Sequence, residues 1–210
     1  MSDNWTIMVY MSADDVLANF AIDSLNQLRR ATLDDGNIVV VLFDPNDGTG
    51  NAAYFRFDGT NKDVPLTQAG PTMLKNVDMA DPNTLTEFIN EASAPYDPNE
   101  SRHYCLILWG HGTELLLDQD PAPEEHRYLT PAKLKQALER SRFKEKNKKI
   151  DIIAFDACSM SMVELASTLQ DYVKFMIASQ EEVPDVSFPY QRILEGLKTH
   201  VKPVRADTAG

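Results

Sequence analysis

Five short apolar runs punctuate the chain: residues 6–13 (TIMVYMSA), 37–44 (NIVVVLFD), 103–110 (HYCLILWG), 149–156 (KIDIIAFD) and 173–180 (VKFMIASQ). Each is rich in branched aliphatic residues and alternates little with polar ones. Runs of this length with no polar face predict strands buried on both sides, as in a mostly parallel sheet. Between them the spacing turns helical. Residues 13–31 repeat apolar positions at helical intervals, with Asp14 or Asp15 placed to cap the start. Asp81 before Pro82, and Thr130 before Pro131, are N-cap and first-turn pairs that open two more helices. A fourth helical pattern, SMVELASTLQDY, follows directly on the fourth run. Strands alternating with helices predict an α/β fold, with helices on both faces of the sheet.

One stretch breaks the alternation. Residues 51–70 (NAAYFRFDGTNKDVPLTQAG) alternate around Asp58-Gly59, a turn pair, and predict a hairpin at an antiparallel edge or in a small side sheet. The basic stretch at 140–149 (RSRFKEKNKK) reads as an exposed loop. There are no repeats, low-complexity tracts or linkers, so residues 1–210 read as a single domain.

Composition narrows the function classes. The chain has 210 residues, 43% of them hydrophobic and 25% charged, with a net charge of −12. It can bury a sizeable core without staples. The negative balance argues against nucleic acid as a partner, which needs clustered positive charge. No apolar run approaches the length of a membrane span. Two cysteines, Cys105 and Cys158, make neither a disulfide framework nor a zinc motif and point to a reducing compartment. The N-terminus shows no cationic segment followed by an apolar core, so a cytoplasmic location is expected, without excluding secretion. DPNDGTGN at 44–51 has the acidic, glycine-bearing look of a calcium loop. It lacks the ligand spacing and closing Glu of one, and is read as a loop. No cofactor or metal is expected.

The ends of the third and fourth main runs carry the candidate chemistry. In such sheets, ligands and reactive groups collect beyond the carboxyl ends of the strands. The third run ends in Trp109-Gly110-His111-Gly112 and the fourth in Asp156-Ala157-Cys158. If the two strands are neighbours, His111 and Cys158 face each other on one rim. A thiol needs a base to become a nucleophile near neutral pH, and a histidine can also protonate a leaving amine. The Gly112 N–H, and the Cys158 N–H near the start of a helix, are candidate oxyanion donors. Asp156 can orient the histidine or line a pocket for a cationic side chain, and its short spacing to Cys158 favours the pocket. Taken singly, each residue has a commonplace explanation: a small core filler, a loop histidine, a cap. Their meeting on one rim weakens all three, and the histidine stands about 50 residues upstream of the cysteine, a separation known among cysteine proteases.

The chain resembles the clostripain family of cysteine peptidases, within the caspase-like clan. The likeness runs through WTIMVYMSADD, VDMADPNTLTEFI, LILWGHG, IIAFDACSMSMVELA and IASQEEVPDVSFPY. It implies a caspase-like three-layer α/β/α sandwich and a His111–Cys158 dyad in a thiol endopeptidase. The substrate implied is a peptide or protein with Arg or Lys before the scissile bond. Asp156 matches the family's pocket acid. Asp185 is the nearest match to a second one, with Glu181 and Glu182 competing. The resemblance also implies self-processing in the basic stretch 140–149, for example after Lys148 or Lys149. Some members respond to calcium. The family continues beyond the fifth main strand, so the domain is expected to end ahead of its last strands. The competing reading is a catalytically silent caspase-like interaction module, against which the retention of both His111 and Cys158 speaks. A nucleotide-binding α/β protein is disfavoured by the lack of a GxGxxG or P-loop motif.

Overall fold

The five apolar runs become the parallel part of a seven-stranded sheet. The computed structural model describes residues 4–13, 17–34, 36–45, 51–60, 70–75, 77–94, 102–112, 116–118, 127–184 and 186–197. In chain order the elements are β1 (Asn4–Ser12), α1 (Ala18–Arg30), β2 (Ile38–Asp44), β3 (Asn51–Phe57), β4 (Thr72–Lys75), α2 (Pro82–Ser93) and β5 (Arg102–Trp109). There follow β6 (Leu116–Asp118), β7 (Arg127–Leu129), α3 (Pro131–Arg140), α4 (Arg142–Glu145), β8 (Ile150–Asp156), α5 (Val163–Leu169), β9 (Val173–Ile177) and α6 (Tyr190–Gly196). The sheet order is β4-β3-β2-β1-β5-β8-β9, with β6 and β7 forming a separate pair. From β2 to β9 every neighbouring pair is parallel; β3 and β4 add antiparallel strands beside β2.

Two apolar clusters, one on each face, make the three layers. On one face Met8, Tyr10, Val40, Leu42, Leu106, Leu108, Ile153 and Phe155 meet α2, α3 and α5. On the other, Val9, Met11, Val41, Phe43, Ile107 and Trp109 meet α1 and α6. Side chains buried this fully are each worth roughly 1.5–3 kcal/mol over exposure, so the two clusters dominate the stability of the sheet. At the opposite end of the strands, buried Arg102 donates to the Trp5 carbonyl (3.0 Å), the Thr6 hydroxyl (3.0 Å) and the Gly36 carbonyl (2.6 Å). It ties β5 to β1 and to the approach into β2.

The helix starts at Asp81 and Thr130 form as their residue types predict. The Asp81 carboxylate accepts from the Asn83 amide at 2.8 Å, and Thr130 Oγ1 from the Lys133 amide at 3.2 Å. Three local expectations are corrected. α1 opens after Leu17 without a side-chain cap; Asp14 and Asp15 lie outside the described residues. β3 does not fold back at Asp58-Gly59. Its partner is β4, past Gly70, while Asp58 is turned inward to its own bend, accepting from the Thr60 amide and hydroxyl. The antiparallel edge itself is present. The basic stretch is not simply a loop, because Phe143 anchors α4 in the core, edge-on to Tyr104 with ring centres 4.7 Å apart. Most of the calcium-like segment at 44–51 lies outside the described residues.

Candidate active site

β5 and β8 are neighbours, and Trp109 pairs in register with Asp156. The Gly110 amide donates to the Asp156 carbonyl at 3.3 Å, carrying the contact one residue past the strands. The two chain segments then touch main chain to main chain. A Cβ on Gly112 would lie 2.1 Å from the Cys158 carbonyl oxygen and 2.4 Å from its nitrogen. Only glycine allows that approach, whatever its φ angle.

Beyond the strand ends is a pocket of about 40 Å3, lined among others by His111, Asp156 and Cys158. The pairing of β5 with β8 thus brings three of the sequence-derived residues together, with Gly112 against the Cys158 main chain. Asp185 lies outside the described residues. Glu181 and Glu182 are exposed and do not line the pocket. Cys158 is not at a helix start, as α5 begins only at Val163. Between them Ser159 turns into the left-handed region, with φ 54°, so a helix N-terminus lends no charge to the thiol.

The fourth wall is a segment that the strand and helix patterns do not single out. Residues 179–184 run beside 158–161, through hydrogen bonds from the Ser159 amide to the Glu181 carbonyl (3.1 Å) and from the Ser161 amide to the Ser179 carbonyl (2.9 Å). Val183 then meets the thiol. Its amide donates to Cys158 Sγ at 3.3 Å, and its carbonyl lies 3.8 Å from the same sulfur. Ser187, the next described residue but one after the pocket-lining Pro184, has φ 66°. Non-glycine residues held there cost energy and cluster at functional sites.

Asp156 is deeply buried, and three donors satisfy it: the Ser187 hydroxyl, the Phe188 amide at 3.2 Å and the Tyr190 hydroxyl at 2.6 Å. Burial raises its carboxyl above the ordinary value of 3.8, outweighing the hydrogen bonds from Ser187, Tyr190 and Phe188, which favour the charged form. Ser187 Oγ also accepts from Trp109 Nε1 at 2.8 Å. Residue pattern did not reveal Ser187, Tyr190 or Val183. All three lie in IASQEEVPDVSFPY, a stretch that carries the family likeness without singling out any of them.

The second cysteine is a contrast. Cys105 lies in the core, and burial, with the nearby Asp151 charge, pushes its thiol up to about 12. Such a thiol is inert. Both cysteines are free, and Cys158 is the one half-exposed in the pocket. Among the described residues no group of three or more His, Cys, Asp or Glu is placed to hold a metal ion, and no helix is long and apolar enough to cross a membrane.

The model of the clostripain family matches residues 9–209. No curated protein sequence matches the chain. Among solved structures, a secreted C11 cysteine protease from Bacteroides thetaiotaomicron, in complex with an irreversible peptide inhibitor, superposes with a TM-score of 0.75 at 20% identity, over 95% of this chain and 55% of that one. A further structure of a secreted C11 cysteine protease from the same organism, called iotapain, gives 0.68 at 18% identity, over 94% and 58%. An inactive zymogen C11 protease from Parabacteroides distasonis gives 0.65 at 22%, over 93% and 54%. At these identities the likeness establishes the fold, which is the caspase-like sandwich expected. The chain spans little more than half the length of these relatives. The cytoplasmic location expected from the N-terminus is corrected, because two of these structures are of secreted proteases.

Proposed function

The chain belongs to the clostripain family, and from that premise we propose that it is a cysteine endopeptidase cleaving after Arg or Lys. The observation that carries the proposal is that His111 and Cys158, from the ends of adjacent parallel strands, line one pocket. His111 takes the thiol proton, and the Cys158 sulfur attacks the scissile carbonyl carbon. The Gly112 and Cys158 amides receive the oxyanion of the tetrahedral intermediate. His111 then gives its proton to the leaving amine, and the carbon–nitrogen bond breaks, leaving a thioester on Cys158. Water, deprotonated by His111, attacks the thioester. The thiolate leaves, releasing the carboxylic acid, and recovers the proton through His111.

Asp156 reads the cationic side chain before the scissile bond, and Asp185 is the proposed second acid. A cavity of about 40 Å3 has room for little more than a water or two. Entry of a basic side chain therefore requires Val183 and Pro184 to draw outward. Self-processing after Lys148 or Lys149 is part of the same reading: both residues are exposed, directly ahead of β8.

The test is turnover of fluorogenic peptides ending in Arg, Lys, Asp or Leu, beside a Cys158→Ala control. Cleavage of the Arg and Lys peptides alone, abolished in the control, is expected. No turnover of any of them would favour the silent module, and cleavage after Asp would refute the role of Asp156.

A further inference from the structure

Asp156 reads a cation only if one of its oxygens is kept for the substrate, and its hydrogen bonding is one-sided. The three described donors, from Ser187, Phe188 and Tyr190, all converge on Oδ2. Among the described residues no donor reaches Oδ1, and the residue borders the pocket shared with His111 and Cys158. A carboxylate rotates easily about its last bond, because that torsion is broad and two-fold. Three donors on one oxygen remove the freedom and fix where the other oxygen points.

We propose that Ser187 and Tyr190 are positioning residues for specificity, fastening Oδ2 of Asp156 so that Oδ1 is presented to the basic side chain of the substrate. This rests on the reading of Asp156 as the pocket acid. Ser187 sits at the centre of the device. It donates to Asp156, accepts from the Trp109 indole at the end of β5 (2.8 Å), and holds a left-handed backbone to do both. Tyr190 belongs to α6 and is fully buried among the residues of that face of the sheet. The carboxylate is thus braced from a strand end and from a helix.

The arrangement also says how the cation is held. An arginine prefers a fork of two parallel bonds to both carboxylate oxygens. With Oδ2 loaded by three donors, the fork is lost and a single oxygen meets the cation. A single-oxygen contact suits the compact ammonium of lysine as well as a guanidinium. Lysine and arginine peptides therefore bind with affinities within about tenfold of each other, less than the discrimination a two-bond fork gives.

The experiment measures peptide binding on the Cys158→Ala protein by calorimetry, with otherwise identical peptides ending in Arg, Lys or uncharged norleucine. Ser187→Ala and Tyr190→Phe are expected to weaken the Arg and Lys peptides about tenfold each, the scale of one hydrogen bond to a charged group. The norleucine peptide should be unaffected. Ser187→Gly separates positioning from scaffold strain. Glycine relieves the left-handed backbone, so a structural role predicts affinity at or above the parent, and positioning predicts a loss like that of alanine. If Asp156→Asn leaves Arg and Lys binding unchanged, the pocket reading fails and the proposal with it. If Asp156→Asn weakens them but Ser187→Ala and Tyr190→Phe do not, only the positioning proposal is overturned. Equal weakening of the norleucine peptide also overturns it.

Discussion

The Val183 amide donates to the Cys158 sulfur at 3.3 Å, so the residue that roofs the thiol is fastened to it by its own main chain. Val183→Pro deletes that donor at a position already followed by proline. The bond is worth about 1 kcal/mol, so its loss frees residues 182–184 to lift, with Glu181 still held by the Ser159 amide. Iodoacetamide should then alkylate Cys158 several-fold faster than in the parent, read by intact mass over time. Slower alkylation would mean that the amide chiefly supports the sulfur anion rather than covering it.

Asp156 should trade stability for recognition. Burial, the largest cause, holds its folded carboxyl above 3.8 despite the bonds from Ser187, Tyr190 and Phe188. With the folded value above the unfolded one, the stability from this group is complete below 3.8 and is lost as pH rises through the raised value. At neutral pH the carboxylate is therefore a cost. Asp156→Asn, whose amide oxygen can still accept at the Oδ2 position, should keep or raise the melting temperature at neutral pH, by up to about 4 °C. The same variant should lose affinity for Arg and Lys substrates. In the parent, KM for those substrates should climb as pH falls towards the raised value. Tyr190, held well above 10, and Cys105, at about 12, stay neutral through that range. His111 and Cys158 share the pocket, so KM is the quantity to follow rather than kcat. A calorimetric melt of Asp156→Asn well below the parent would contradict this account.

Phe143 should be costly to remove. It is almost fully buried and meets Tyr104 edge-on. Phe143→Ala should lose about 3–5 kcal/mol in urea unfolding. With α4 unanchored, trypsin should cut between Lys144 and Lys149 much faster than in the parent. Unchanged cutting would show that α4 does not depend on the core contact.

Self-processing has a defined signature. The Lys148 amide donates to the Phe143 carbonyl at 2.8 Å, and Lys149 Nζ to the Gln170 carbonyl at 2.6 Å. Cutting after Lys149 must also free the Ile150 amide, which donates to the Tyr172 carbonyl at 2.9 Å. On incubation the parent should split into two fragments, the second beginning at Lys149 or Ile150. Cys158→Ala should stay whole, and so should Lys148→Ala combined with Lys149→Ala. An intact parent with full peptidase activity would end the idea.

Much of the fold was legible because its signals are local. Val39, Val40 and Val41 can hardly be other than a buried strand, and Asp81-Pro82 and Thr130-Pro131 carry their cap chemistry in two residues. That His111 and Cys158 would line one pocket was legible for a different reason, since a parallel sheet gathers strand ends on one rim. What escaped was non-local. That Ser187 would take a left-handed φ and reach Asp156, or that the Val183 main chain would meet a thiol, depends on how one irregular segment lies across the sheet. No periodicity encodes that. Phe143 was hidden by its neighbours: one aromatic among lysines and arginines reads as surface, although a single buried ring is enough to seat a short helix.

The contact of Gly112 with the Cys158 main chain has a consequence for how such a site can vary. With no room there even for a methyl group, one jaw of the cleft is welded to the sheet. The other jaw, with Val183, Pro184 and Ser187, is held by hydrogen bonds such as those from the Val183 amide to the Cys158 sulfur and from the Ser187 hydroxyl to Asp156. Room for a bulkier occupant of the cleft must therefore come from the second jaw, while Asp156 and Cys158 stay fixed on the first.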